Sequence, residues 1–230
     1  HWDCAAWQHA GSVSAMTDRI PRSAGGSQPT TEPSGADLWL ELVTAAIGMF
    51  RAHDFHQVSL PLLAEATGRE VDAVQQQFPS FDELVFAVIE VWNAERMEPI
   101  LPIAASQGAV AFLRAIVQAN IADPALMRLL TATVNIAAGR TSPIAPLLQQ
   151  RWLQFHAFVQ RALVHDIEVG REPGTMDPAR GAEQLIAVYE GLQLQSMVRP
   201  AMNLLEAYDR AAHRLRDGWS HTYPAPIWDI

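Results

Sequence analysis

Glutamine, arginine and histidine carry most of the chemistry this sequence offers. In GREVDAVQQQFPS, residues 68–80, Gln75, Gln76 and Gln77 stand in a row behind Arg69. A glutamine amide both donates and accepts, so it can pair with the N6/N7 edge of adenine, and an arginine fork matches the O6/N7 edge of guanine. The same run also reads as a solvated face of a short helix. A second group lies in RWLQFHAFVQ, which carries Trp152, Phe155, His156 and Phe158 on one helical segment. With Phe112, Met127 and Asn135 from earlier segments and Tyr189, Gln193 and Met197 from a later one, these residues suit a largely apolar cavity. His156 and Gln193 would orient a ligand there. The alternative is an ordinary core in which His156 bonds a backbone carbonyl.

Catalytic and metal chemistry find less support. His53 and His56 are three apart but flank a turn, with no third ligand at a recognisable spacing. His165 and Asp166 are adjacent and therefore point in different directions on a helix, and no Ser or Cys nucleophile motif accompanies them. No phosphate-binding glycine loop is present. The expectation is a protein without catalytic residues, bound metal or cofactor.

The elements that must position these residues are helical. Residues 17–35, TDRIPRSAGGSQPTTEPSG, are poor in large apolar groups, and residues 1–35 are expected to form a flexible arm. From Ala36 onward, Leu38, Leu42, Ala45, Ala46 and Met49 recur at helical spacing up to about His53. Ser59 is a plausible cap for a short second helix with Leu60, Leu63 and Ala64 turned inward, and Gly68 suits the turn after it. A third helix near 70–77 would bury Val71 and Val74, and Ser80 with Glu83 has the capping-box spacing for a fourth helix, Phe81 to Met97. Further helices fall near 106–121, 124–138, 143–169, 178–199 and 201–217, separated by DP, TSP, EPGTMDP and RP breaks. The fold class is all-α, with about nine helices and no sustained period-two alternation. Gly181, Ala182, Ala187 and Gly191 are small residues in the 178–199 segment. They offer close helix approach, either across a four-helix dimer face shared with 201–217 or within one chain.

Composition sets the outer limits. The chain has 230 residues, 49% of them hydrophobic, enough for a sizeable core. No apolar run reaches the roughly 20 residues a bilayer crossing requires, so no membrane association is expected. Cys4 is the only cysteine, which excludes a disulfide framework and points to the cytoplasm. The first 15 residues lack the features of a signal peptide, and Met16 is a candidate natural start. The tail, 218–230, ends in Ile227, Trp228 and Ile230 and is expected to fold back on the body. The net charge is -9, which argues against broad, non-specific affinity for nucleic acid. Over residues 36–94 two arginines, Arg51 and Arg69, stand against nine carboxylates, a net -7.

The spacing TAAIGMFRAHDFHQVSLPLLAEATG followed by FPSFDEL resembles the TetR family of bacterial transcriptional regulators. Ala45, Phe50, Phe55, Val58, Leu63, Ala64, Ala66, Gly68, Phe78, Pro79 and Leu84 carry the resemblance over 36–95. It departs along the third helix, at Glu70, Val71, Asp72, Ala73 and Gln75, and at Phe81, where the family commonly has Lys. The resemblance implies a helix-turn-helix DNA-binding domain at 36–95 and a ligand-binding and dimerisation domain at 96–217. It further implies a homodimer on a pseudo-palindromic double-stranded operator, responsive to a small, largely apolar effector. Carried onto this chain, DNA contact falls on Ser59, Arg69, Val71, Ala73, Gln75, Gln76 and Gln77. A ligand-binding protein that has lost DNA binding is the alternative, and an enzyme using the helical cavity a weaker one.

Overall fold

A computed structural model describes residues 34–139 and 141–221. Nearly all of the expected arm and most of the tail lie outside the described residues. Among those described there are ten helices and no strand, and they fall into two compact units.

Of the described residues, the first unit comprises 34–96 together with 124–149. Helix α1, Gly35–Ala52, starts at Ser34, whose hydroxyl accepts from the Asp37 N–H while the Asp37 carboxylate accepts from the Ser34 N–H. This reciprocal cap satisfies two otherwise orphaned donors. The helix buries Trp39, Leu42, Val43, Ala46, Ile47, Met49 and Phe50. A single 3-10 turn, Phe55–Gln57, leads into α2, Leu60–Thr67. Ser59 caps α2 by accepting from the Leu62 N–H, and Gly68 ends it at φ 64°, the left-handed conformation that glycine adopts without a Cβ penalty.

Helix α3, Val71–Gln77, is only seven residues long and turns just Val74 fully inward. Val71, expected in the core beside Val74, is instead 37% exposed. It occupies the first position of a two-turn helix, and an interior that one apolar residue anchors has no need of a second. Phe78 follows and is buried, with its ring 6.3 Å from that of Trp39. Helix α4, Phe81–Met97, carries the expected capping box, in which Ser80 N–H donates to Glu83 and Glu83 N–H donates to Ser80. Phe50, Phe55 and Phe81 meet with ring centroids 5.6–6.2 Å apart and lock the α1 to α2 connection. The unit also includes α7, Pro124–Ala138, which packs on α1. Ser142 donates to the Asp82 carboxylate from the loop that follows α7.

Of the described residues, the second unit comprises 97–123 and 150–221. The segment expected to begin one helix near 106 is two: α5, Leu101–Gln107, and α6, Ala109–Ala122. They are broken at Gly108, where φ is 95° and a Cβ would lie 2.7 Å from the Asp166 carboxylate. Helix α8, Ala145–Glu168, gives its first turn to the first unit and the rest to the second. Helices α9, Pro178–Val198, and α10, Leu204–Trp219, complete the fold. Asp177 and Asn203 cap them through their side-chain oxygens.

Polar ties hold the second unit together. The Asp166 carboxylate, 1% exposed, accepts from the Ala109 N–H at 2.8 Å and from Arg171 at 2.7 Å. Arg171 also donates to the carbonyl of Ala105. Arg114 grips Asp209 with two bonds of 2.7 and 3.0 Å, and the buried Tyr208 hydroxyl donates to the Val110 carbonyl. Burial, reinforced by the adjacent Asp209, holds the Tyr208 phenol above its usual range.

Candidate functional site

Two places gather residues capable of recognition. The first is the exposed side of α3. The left-handed turn at Gly68 and the Arg69 N–H bond to the Ala64 carbonyl fix the angle between α2 and α3. With Val74 inward, α3 turns Val71, Asp72, Gln75 and Gln76 to solvent, while Ala73 and Gln77 are half-buried at its flanks. Ser59 is half-buried and its hydroxyl is occupied by the α2 cap. The two exposed glutamines therefore stand on one side of this helix pair with amides that can both donate and accept, a chemistry suited to base edges.

The charges around α3 work the other way. Arg69 is held by Glu41 of α1 through a fork, Nε to Oε1 at 3.2 Å and Nη2 to Oε2 at 2.7 Å. Both side chains are about a third exposed, at 35% and 40%. Arg69 can reach a guanine edge or a phosphate only by leaving Glu41. Glu70 and Asp72, by contrast, sit at the positive end of the α3 dipole, where a carboxylate favours the helix. Glu70 makes no side-chain cap bond, so α3 gains this benefit from charge alone.

The second place is the interior of the second unit. Asn120 on α6 donates from one amide nitrogen to the Tyr189 hydroxyl at 2.9 Å and to Gln193 Oε1 at 3.0 Å. All three are buried. Phe112 is buried against Phe158 with centroids 5.0 Å apart, and Phe155 lies 6.1 Å from the Tyr189 ring. A polar triad thus sits in an aromatic surround, and its geometry is set by a branched hydrogen bond. Next to Tyr189, the Glu190 carboxyl is half-buried, and desolvation raises it above the usual carboxylate range.

Of the residues expected to line a cavity, Phe112, Tyr189 and Gln193 are buried in this unit, and Trp152, Phe155, His156 and Met197 are half-buried in it. His156 makes no hydrogen bond among the described residues, so the carbonyl-bonded alternative is not what is found. Met127 and Asn135 belong to the first unit; Met127 is buried there, and Asn135 is exposed rather than turned inward. Sequence reasoning missed Asn120, although the signal was present: Phe112, Leu113, Ile116, Val117 and Asn120 follow one helical stripe, and an amide closing an apolar stripe needs partners.

Two of the small residues of α9 serve inside the chain. A Cβ on Gly181 would lie 2.6 Å from the Met176 sulfur and 3.1 Å from Leu163, and Ala182 is also buried. Ala187 is exposed, and the outer face of α9 also presents Leu194 and Val198, the latter 78% exposed.

No single helix among the described residues is long and apolar enough to cross a membrane, and no cluster of three or more metal-ligating side chains is found among them. No protein-family profile matches the chain, and no curated protein matches it. Solved structures do. A TetR transcription regulator from Haloarcula marismortui is 16% identical, with a TM-score of 0.67 over 80% of this chain and 98% of that one. SmeT, the repressor of the Stenotrophomonas maltophilia multidrug efflux pump SmeDEF, is 22% identical, with a TM-score of 0.59 over 82% and 96%. SmeT in complex with triclosan gives 20% identity and a TM-score of 0.61 over 83% and 99%. The chain has the all-helical fold of the TetR transcription regulators.

Proposed function

We propose that this protein is a DNA-binding transcriptional regulator of the TetR type, a homodimer that responds to a small, largely apolar effector. One observation carries the reading. On the TetR fold, the Ser59-capped α2, the left-handed Gly68 turn and α3 form a pair whose exposed residues include the hydrogen-bonding Gln75 and Gln76 beside Val71 and Asp72. DNA reading is assigned to 36–95, with α3 in the major groove and α2 behind it. A glutamine set on adenine contributes roughly 1–3 kcal/mol of discrimination. Two copies place their α3 helices about one helical turn of DNA apart, so the operator is a pseudo-palindrome.

Self-association is assigned to the outer faces of α9 and α10, where Leu194 and Val198 await cover. The effector is assigned to the aromatic interior around Phe112, Phe155, Tyr189 and Gln193, with Asn120 added to the set. The role is regulatory and not catalytic, in the cytoplasm where operator DNA lies, and it is repression where the operator overlaps a promoter.

A second reading rests on its own observation. The net charge of -7 over 36–94 and the capture of Arg69 by Glu41 favour a ligand-binding protein whose head is a scaffold. Selection of bound fragments from a random double-stranded pool, at low and moderate salt and against competitor DNA, decides between them. An enriched palindrome is expected. No enrichment at either salt, from a protein shown to be a folded dimer, establishes the scaffold reading.

A further inference from the structure

Gln193 is 3% exposed and uses only one end of its side-chain amide. Its Oε1 accepts from Asn120, while its Nε2, with two hydrogens to donate, has no hydrogen-bond partner among the described residues. Protein interiors seldom leave an amide nitrogen in that condition. The nitrogen is not sealed in either, because it is not among the fully enclosed side-chain atoms that lack a partner. Asn120 sets the sense of the amide. Its Nδ2 donates to both Tyr189 and Gln193, so Gln193 gives its oxygen to Asn120 and keeps its nitrogen for something else. Tyr189 and Gln193 lie one turn apart on α9, and Phe155 of α8 stands 6.1 Å from the Tyr189 ring, so the unused donor belongs to an aromatic surround. No arginine belongs to the aromatic set around it, and the chain has no lysine. His156 is the one side chain of that set able to carry positive charge.

We propose that the effector assigned to this interior presents a neutral hydrogen-bond acceptor, a carbonyl oxygen on an apolar body, to Gln193 Nε2. The proposal rests on the effector reading above and is independent of DNA reading. An ammonium group would meet a donor with a donor, and a carboxylate would be taken out of water without a guanidinium or ammonium partner. A carbonyl satisfies the nitrogen and leaves the triad with Asn120 intact.

The test is isothermal titration of the full chain at neutral pH with 2-acetylnaphthalene, 2-ethylnaphthalene and 2-naphthoate, which share a ring system and differ in the group offered to Gln193. In Gln193→Met the ketone is expected to weaken about tenfold while the hydrocarbon binds as before or more tightly. Naphthoate is expected to bind the parent about tenfold or more weakly than the ketone. The infrared carbonyl stretch of the ketone bound to the parent is expected below its position in hexane, a readout that stands even if Gln193→Met folds poorly. An unshifted stretch would overturn the proposal, as would equal weakening of ketone and hydrocarbon in a folded Gln193→Met. Naphthoate binding as tightly as the ketone would overturn the neutral acceptor. If the three probes bind the parent and the variant alike, the interior remains an effector site and the carbonyl assignment alone falls. If none binds a protein shown to be folded, the effector reading falls and takes this proposal with it, while the operator selection is unaffected.

Discussion

Two arginine–carboxylate pairs in this protein share a closest contact of 2.7 Å and differ in their surroundings. Arg69–Glu41 lies on the head with water on both partners. Arg171–Asp166 has its carboxylate 1% exposed and sharing its oxygens with the Ala109 N–H. Contact length is therefore a poor guide to what such a pair contributes, because screening and desolvation set the balance. The buried pair determines where α5 ends and α6 begins. The exposed pair determines whether the Arg69 guanidinium is free to meet another partner, which on the proposed function is DNA.

Removing Asp166 is the severest way to break that comparison. Asp166→Ala strands the Ala109 N–H and the Arg171 guanidinium, and a loss of about 3–5 kcal/mol in urea denaturation is expected. A loss below about 1 kcal/mol would put the two pairs on one footing. Gly108→Ala attacks the same corner from the backbone, by forcing a Cβ into a positive-φ residue at 2.7 Å from that carboxylate. A loss of about 2 kcal/mol or more is expected, measured in the same way.

Glu190 is a third case, a half-buried carboxyl whose shift upward from 4.5 is caused by desolvation alone. Its folded form holds a proton more tightly than its unfolded form. The stability this provides at low pH is lost as pH rises from the ordinary carboxylate range through the raised value. Urea midpoints between about pH 4 and 8 should fall less steeply in Glu190→Gln than in the parent. A residual slope remains, because burial raises Glu172 too, with Arg216 pulling it partly back.

The smallest stability effect belongs to Glu41→Gln, at less than about 1 kcal/mol because both partners of the pair are partly exposed. Its effect on DNA should be the reverse: operator affinity rises several-fold, with a steeper salt dependence as a freed Arg69 meets a phosphate. Unchanged affinity and unchanged salt slope would remove Arg69 from the reading surface.

What the sequence makes legible follows the same division between local and distant causes. The caps at Ser59 and Ser80–Glu83 and the turn at Gly68 act within a few residues, so the residue types at those positions suffice to find them. The break between α5 and α6 is different, because its partner Asp166 lies 57 residues away from Ala109. Arg69–Glu41 spans 28 residues and is hidden for the same reason. Val71 misleads because α3 is too short for helical period to distinguish a core position from a surface one. At the aromatic interior, residue type identifies Phe112, Tyr189 and Gln193, whereas Asn135 has suitable chemistry on a side of α7 that faces outward. Asn120 has the periodicity of a core residue, and only its partners on α9 reveal why an amide stands there.

The fork between Arg69 and Glu41 also sets a population. If the exposed pair stabilises the closed arrangement by about 1 kcal/mol, roughly one molecule in six presents a free Arg69 at any instant. On the proposed reading of DNA by this head, association through that arginine would proceed from the minority, and the observed dissociation constant would be about six times the intrinsic one. Salt that loosens the fork enlarges the competent fraction while it screens the phosphates that fraction must find. The two effects oppose each other, and affinity should fall less steeply with salt than a count of phosphate contacts alone would require.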